Sequence, residues 1–176
     1  MRDRSTVKPG DHPEFFRFPA PAGQSRESTI RLDREGHFFH DDEPVEHARL
    51  ADAMHGWIAR HPDDGRYILT NGYDWTYFAV DDAPFIVRSV EVDAARAVTL
   101  VLSNGDRVPL DPTSLREGDD GALYAVVDVR GGRFDARFSR FAQAGLAPAL
   151  VEENGVVGVR DAQGVVVVPP RREPTK

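Results

Sequence analysis

The chain has 176 residues, 40% of them hydrophobic and 29% charged, with a formal net charge of -7. That is long enough for one compact domain or two subdomains sharing a core, and the acidic balance opposes non-specific binding to phosphate backbones, so no nucleic-acid partner is expected. The absence of cysteine excludes disulfides, thiolate metal sites and cysteine nucleophiles, and no run of about 18 apolar residues marks a membrane span.

Residues 1–26 are polar and broken by Pro9, Gly10, Pro13, Pro19, Pro21 and Gly23, which reads as an irregular arm. Phe15, Phe16 and Phe18 leave two readings open, an arm docked on the body and a structureless one. The first eight residues lack the apolar stretch of a signal peptide, which makes a cytoplasmic location the default expectation.

Hairpin signals then recur. Residues 30–40 read strand, turn, strand around Asp33 and Gly36; residues 67–80 flank Asn71-Gly72; residues 98–110 flank Asn104-Gly105; residues 156–168 flank Asp161 and Gly164. Asn-Gly suits a tight hairpin because both residues tolerate positive φ. Residues 123–129 add a further strand.

Two segments carry helical spacing. Asp42 is placed as a cap and Pro44 in a first turn, with Val45, Ala48, Ala51, Met54 and Ile58 on one apolar stripe ending near His61-Pro62. Phe134, Phe138 and Phe141, at i, i+4 and i+7, predict a second helix over residues 134–144, terminated by Gly145. The expectation is an α+β fold of mostly antiparallel β-hairpins in two small lobes, each with one packed amphipathic helix. The lobes are residues 27–96 and 97–168, followed by a polar tail over 169–176.

Candidate chemistry is sparse. His37, His40, Asp41, Asp42, Glu43, Glu46 and His47 form the densest ligand-type cluster, with His40 and His47 the weak candidates for a metal pair. On a regular strand His37 and His40 face opposite ways, and Asp42 serves better as a cap, so no metal or other cofactor is expected. Asp81 and Asp82 read either as a turn or as a general acid–base pair. Arg88 falls in phase with Ile86, Val90 and Val92, which predicts a half-buried guanidinium seeking Asp82. Arg133, Arg137 and Arg140 form a basic stripe that pairs either with the protein's own acids or with a small anionic ligand. Trp75 shares a strand face with Tyr77 and is a candidate wall of a ligand pocket. There is no nucleophile elbow, P-loop, dinucleotide fingerprint or zincin motif.

In their order along the chain, Gly36-His-Phe-Phe-His-Asp-Asp-Glu-Pro-Val45, then residues 67–70 leading to Val80-Asp-Asp-Ala-Pro-Phe85, then Ala136-Arg-Phe-Ser-Arg140 and Gly158-Val-Arg-Asp-Ala-Gln-Gly164, resemble bacterial domain-of-unknown-function family 1285. The closing block departs from the family pattern at Gln143 and Ala144. The resemblance implies an α+β fold with two β-rich lobes, raises Asp82, Pro84, Phe85 and Arg137 above their neighbours, and implies no activity. Together these readings favour a non-enzymatic ligand-binding or regulatory module, with Asp82, Arg88, Arg137, Arg140 and Trp75 as its site residues. The alternatives are a small hydrolase or transferase using a carboxylate and histidine site, and a protein-interaction module, with a homodimer among its forms.

Overall fold

The computed structural model describes residues 7–173; the outermost parts of the expected arm and tail, residues 1–6 and 174–176, lie outside the described residues. The contacts divide the chain into two units. The first runs to Asp33 and resumes over His37–Asp81; the second takes Arg34–Gly36 and everything from Asp82. The division thus falls at Asp81/Asp82 rather than at the expected 96/97. The physical reason is strand pairing: the segment 85–92 pairs with strands that follow it.

The first unit contains β1 (Arg31–Leu32), β2 (Phe38–His40), β3 (Glu43–Pro44), α1 (Ala48–Trp57), β4 (Ile58–Arg60), β5 (Tyr67–Thr70), β6 (Trp75–Tyr77) and β7 (Ala79–Val80). These make a four-stranded sheet of order β3-β2-β1-β7 and a three-stranded sheet of order β4-β5-β6. Leu32, Phe38, Met54, Ile58, Ile68 and Phe78 form its buried core. The first helix is shorter than its stripe predicts. Asp42 does not cap it; Asp41 and Asp42, with φ of 52° and 62°, turn β2 into β3 instead. The cap is His47, whose Nδ1 accepts from the Leu50 amide at 3.3 Å. Beyond Trp57 the chain extends, so the stripe's last member, Ile58, is buried from a strand.

The second unit contains β8 (Phe85–Val92), β9 (Val98–Leu102), β10 (Arg107–Pro109), β11 (Arg116–Glu117), β12 (Leu123–Val129), β13 (Gly132–Phe138), α2 (Arg140–Gly145), β14 (Leu150–Glu153), β15 (Val156–Arg160) and β16 (Val166–Val167). Its main sheet has the order β10-β9-β8-β13-β12-β11, and a second sheet has the order β14-β15-β16. Among the described strands, β8 and β13 form a parallel pair in the main sheet, as β1 and β7 do in the first unit. The α+β class and its antiparallel character are as expected.

The expected helix over 134–144 is mostly strand. Phe134, Ala136 and Phe138 are buried in strict alternation with Arg133, Asp135 and Arg137. A spacing of four satisfies a helix and a strand alike, and Ala136 in phase between the two phenylalanines is the strand signal. Helix begins only at Arg140, capped by Ser139, whose hydroxyl accepts from the Ala142 amide at 3.1 Å. Phe141 is exposed on it. This short helix packs on β8 at Gly145, where a Cβ would come within 2.8 Å of Val90.

The turns follow a different rule from the expected one. Hairpins β1–β2, β9–β10 and β15–β16 close through three-residue loops ending in Gly36, Gly105 and Gly164, each with φ between 84° and 90°. That is a type I turn followed by one left-handed residue, which glycine adopts without strain. Asn71-Gly72 belongs to a four-residue loop in which Asn71 Oδ1 accepts from the Tyr73 and Asp74 amides. Two-residue turns with both φ positive occur instead at Asp41-Asp42, Arg130-Gly131 and Asn154-Gly155.

Candidate functional site

The main sheet of the second unit has a core face and an outer face. Ala125, Val127, Phe134, Ala136 and Phe138 go to the core, so Tyr124, Asp135 and Arg137 go outward by alternation, with Tyr124 directly across from Arg137. Tyr124 is nevertheless buried, because charged side chains close over it. Arg172 lies 4.0 Å above its ring and Arg137 5.4 Å.

Asp82, just before β8, joins these groups. Its Oδ2 accepts from Tyr124 Oη at 2.7 Å and from Arg137 Nη1 at 3.2 Å, and its Oδ1 accepts from Arg172 Nη1 at 2.6 Å. Arg137 Nη1 also donates to Tyr124 Oη, and its Nη2 to Asp120 Oδ2 at 2.7 Å. Arg172 Nη2 reaches Asp135 Oδ2 at 3.1 Å. The side chains of Asp82, Arg137 and Arg172 are 11%, 16% and 18% exposed, so the cluster is largely withdrawn from water.

Burial pushes the Asp82 carboxyl up, but the hydrogen bonds from Tyr124 and Arg172 and the two guanidinium charges outweigh it and hold Asp82 below the usual carboxylate range. Burial and the bond to Asp82 push the Tyr124 phenol up. Burial opposes the charge on both arginines, yet their acidic partners keep each more firmly protonated than usual. This is a set of locked charges rather than a poised acid and base.

Beside the cluster lies a groove of about 910 Å³, lined by Arg34, Glu35, Asp120, Arg137, Ser139 and Arg140 among others. Arg137 enters it already engaged. Arg34 is exposed and only 4.0 Å from Asp120. Arg140, the first residue of α2, is exposed and has no ion pair among the described residues.

The expected site residues are distributed as follows. Asp82, Arg137 and Arg140 fall in the second unit, Trp75 in the first. Arg88 is a correction: it is exposed, because the β8–β9 register shifts between Val87 and Ser89 and makes Arg88 the extra residue of a β-bulge. The partners Asp82 takes are Arg137 and Arg172. The basic stripe of Arg133, Arg137 and Arg140 is also corrected, since the first two lie on a strand and the third on a helix; Arg133 is exposed, 3.8 Å from Asp128.

Trp75 is buried beneath Arg26, whose guanidinium lies 4.5 Å from its ring, with Phe16 at 6.0 Å. Phe16 therefore docks on its own unit, whereas Phe18 stays exposed. Trp75 borders a small apolar groove of about 310 Å³ with Leu50, Met54 and Trp57. His47 is occupied as a cap and His40 is exposed beside Asp41; no metal-holding group of three or more ligand side chains occurs among the described residues.

Sequence reading missed Arg34, hidden in what looked like a plain turn, and Arg172, in what looked like a solvated tail. Arg172 carried one usable signal. Pro169 and Pro170 hold the preceding chain extended, which suits pairing at a sheet edge.

No protein-family model and no curated protein matches the sequence. Two solved structures match the fold. One is a DUF1285 family protein from Silicibacter pomeroyi DSS-3, with a TM-score of 0.62 and 20% identity over 86% of this chain and 90% of that chain. The other is a DUF1285 family protein from Shewanella baltica OS155, with a TM-score of 0.55 and 17% identity over 70% of this chain and 94% of that chain. The chain has a DUF1285-like fold.

Proposed function

We propose that the chain is a non-enzymatic binding module for a small oxyanion, a carboxylate or phosphate, held in the groove of the second unit. The observation that carries this reading is the pair Arg34 and Arg140: two exposed guanidinium groups lining one groove, the first only loosely paired and the second without an ion pair among the described residues. A planar fork of donors matches an oxyanion bidentately. Arg137 stands behind them, fixed by Asp82, Tyr124 and Asp120, and contributes positive charge without needing to move.

The alternative as a hydrolase or transferase draws less support. Asp81 pairs with Arg31 in the first unit at 2.6 Å, whereas Asp82 is locked in the second. His37 is tied to Asp33 at 3.2 Å and His47 to the start of α1.

The test is thermal unfolding with inorganic phosphate and with succinate. A ligand that binds only the folded state raises the melting temperature with concentration. Arg140→Ala should abolish that rise while changing ligand-free stability by no more than about 0.5 kcal/mol, as at an ordinary surface site. No response to either anion, or the same response in Arg140→Ala, sinks the reading.

A second reading has its own observation. Leu150, Val157 and Val165 fall on one face of the β14–β16 sheet by register and alternation, and each is at least 41% exposed. A cluster of this kind suits self-association. Light scattering should find a dimer that Val157→Lys converts to monomer; a wild-type monomer at every concentration rejects it.

A further inference from the structure

The segment after β16 does more than trail from the last strand. Pro170 carbonyl accepts from the Glu117 amide at 2.8 Å, and the Arg172 amide donates to the Glu117 carbonyl at 2.8 Å. Glu117 and Arg171 thereby form a parallel bridge, so three residues of the segment extend the main sheet past its edge strand β11. Alternation sends Arg171 and Arg172 opposite ways. Arg171 donates to the Gly118 carbonyl at 3.2 Å. Arg172 turns over the outer face of the sheet and enters the Asp82–Tyr124 cluster.

What receives Arg172 has the parts of an arginine-reading pocket. Tyr124 supplies an aromatic face at 4.0 Å. Asp82 takes one terminal nitrogen at 2.6 Å and Asp135 takes the other at 3.1 Å. A carboxylate on each arm of the fork and a ring beneath it is a geometry that lysine cannot reproduce. The backbone edge of β11 adds one donor and one acceptor to an extended chain, the arrangement by which a sheet edge takes a peptide strand.

The strap is anchored by the Arg172 side chain, but its backbone is lightly held. Pro170, Arg171 and Glu173 are exposed, and the backbone is attached through the two hydrogen bonds at Glu117. An open groove of about 550 Å³ runs alongside, lined by Ser114, Arg116, Tyr124, Asp135 and Arg172. A strand with few buried contacts opens locally at a small fraction of the global unfolding free energy.

We propose that the β11 edge with Asp82, Tyr124 and Asp135 is a docking site for an extended, proline-preceded arginine peptide. In this structure it takes the chain's own Pro-Pro-Arg-Arg segment, and it accepts the same kind of segment from a protein partner when that strap lifts. The site meets the Arg34–Arg140 groove at Arg137, which bonds Asp82, but the proposal does not depend on the anion-binding reading.

The full-length protein carrying Arg172→Ala tests this, since it keeps the fold's own chain but empties the pocket. A fluorescent peptide of sequence Val-Pro-Pro-Arg-Arg-Glu should bind this variant at least about tenfold more tightly than it binds the wild type, whose pocket is filled in cis at high effective concentration. Replacing the peptide's second arginine by alanine, or adding Asp135→Asn to the protein, should each weaken binding by about tenfold or more. A folded Arg172→Ala protein that binds neither peptide, or binds both equally, overturns the proposal.

Hydrogen exchange on the unmodified chain decides the matter even if the variant fails to fold. The Glu117 and Arg172 amides should exchange by local opening, about 100-fold or more faster than the central amides of β12 and β13. Exchange only through global unfolding overturns the proposal, because the strap would then never lift.

Discussion

Each unit places an arginine on an aromatic ring next to an aspartate, and the two arrangements differ in what surrounds them. In the first unit Arg26 covers Trp75 at 4.5 Å and pairs with Asp74 at 2.6 Å, but Asp74 is 66% exposed and Arg26 also donates to the carbonyls of Trp75 and Pro19. In the second, Arg137 and Arg172 cover Tyr124 and share Asp82, which is 11% exposed. Arg26 is as withdrawn as Arg172, both 18% exposed, so the difference lies in the acid: water reaches Asp74 and scarcely reaches Asp82. Similar distances therefore carry different energies, because an exposed pair retains solvation when broken and a buried one leaves an uncompensated charge.

The largest expected effect breaks this comparison directly. Asp82→Ala leaves two partly buried guanidinium groups without their shared acid and should lower unfolding free energy by roughly 3 kcal/mol. Asp74→Ala, removing the corresponding acid of the first unit, should lower it by less than about 1 kcal/mol. Urea unfolding measures both, and equal losses would dissolve the distinction between the two units.

A smaller effect sharpens it through pH. The Asp82 carboxyl is held below its unfolded value of about 3.9. A depressed carboxylate contributes stability that is present above its unfolded pKa and lost as pH falls through its folded pKa. The stability gap between wild type and Asp82→Asn should therefore be constant near neutrality and shrink below about pH 4. Glu27, Asp63, Asp64 and Asp120 are also depressed, but they are common to both proteins and cancel in the difference. A gap that persists unchanged to about pH 2 would show that the cluster does not favour the ionised form of Asp82.

The hairpins were legible because turn chemistry is local: a glycine three or four residues after the strand, with polar residues between, suffices for Gly36, Gly105 and Gly164. Their loop type was misjudged at Asn104-Gly105 for the same reason, since the dipeptide fits more than one loop and the partner strand's register chooses among them. The β13 strand was lost because Phe134 and Phe138 satisfy two periods at once, and only pairing with β12 on one side and β8 on the other selects the extended one. Of the candidate site, Asp82 and Arg137 were picked from residue type and context, but the partner assigned to Asp82 was the nearest arginine in phase, Arg88. A single bulge residue removed Arg88 from that face.

By itself, then, the sequence determined an acidic, cysteine-free α+β chain of antiparallel hairpins, with a helix following the first hairpin and Asp82 marked for pairing. These follow from composition, turn residues and short-range periodicity, none of which needs a distant contact. The tertiary structure decided where the units divide, which face Arg137 occupies, and that Arg172, 90 residues from Asp82, completes the cluster. Ion-pair partners at that separation are chosen by strand register and burial, and neither exists until the sheet has formed.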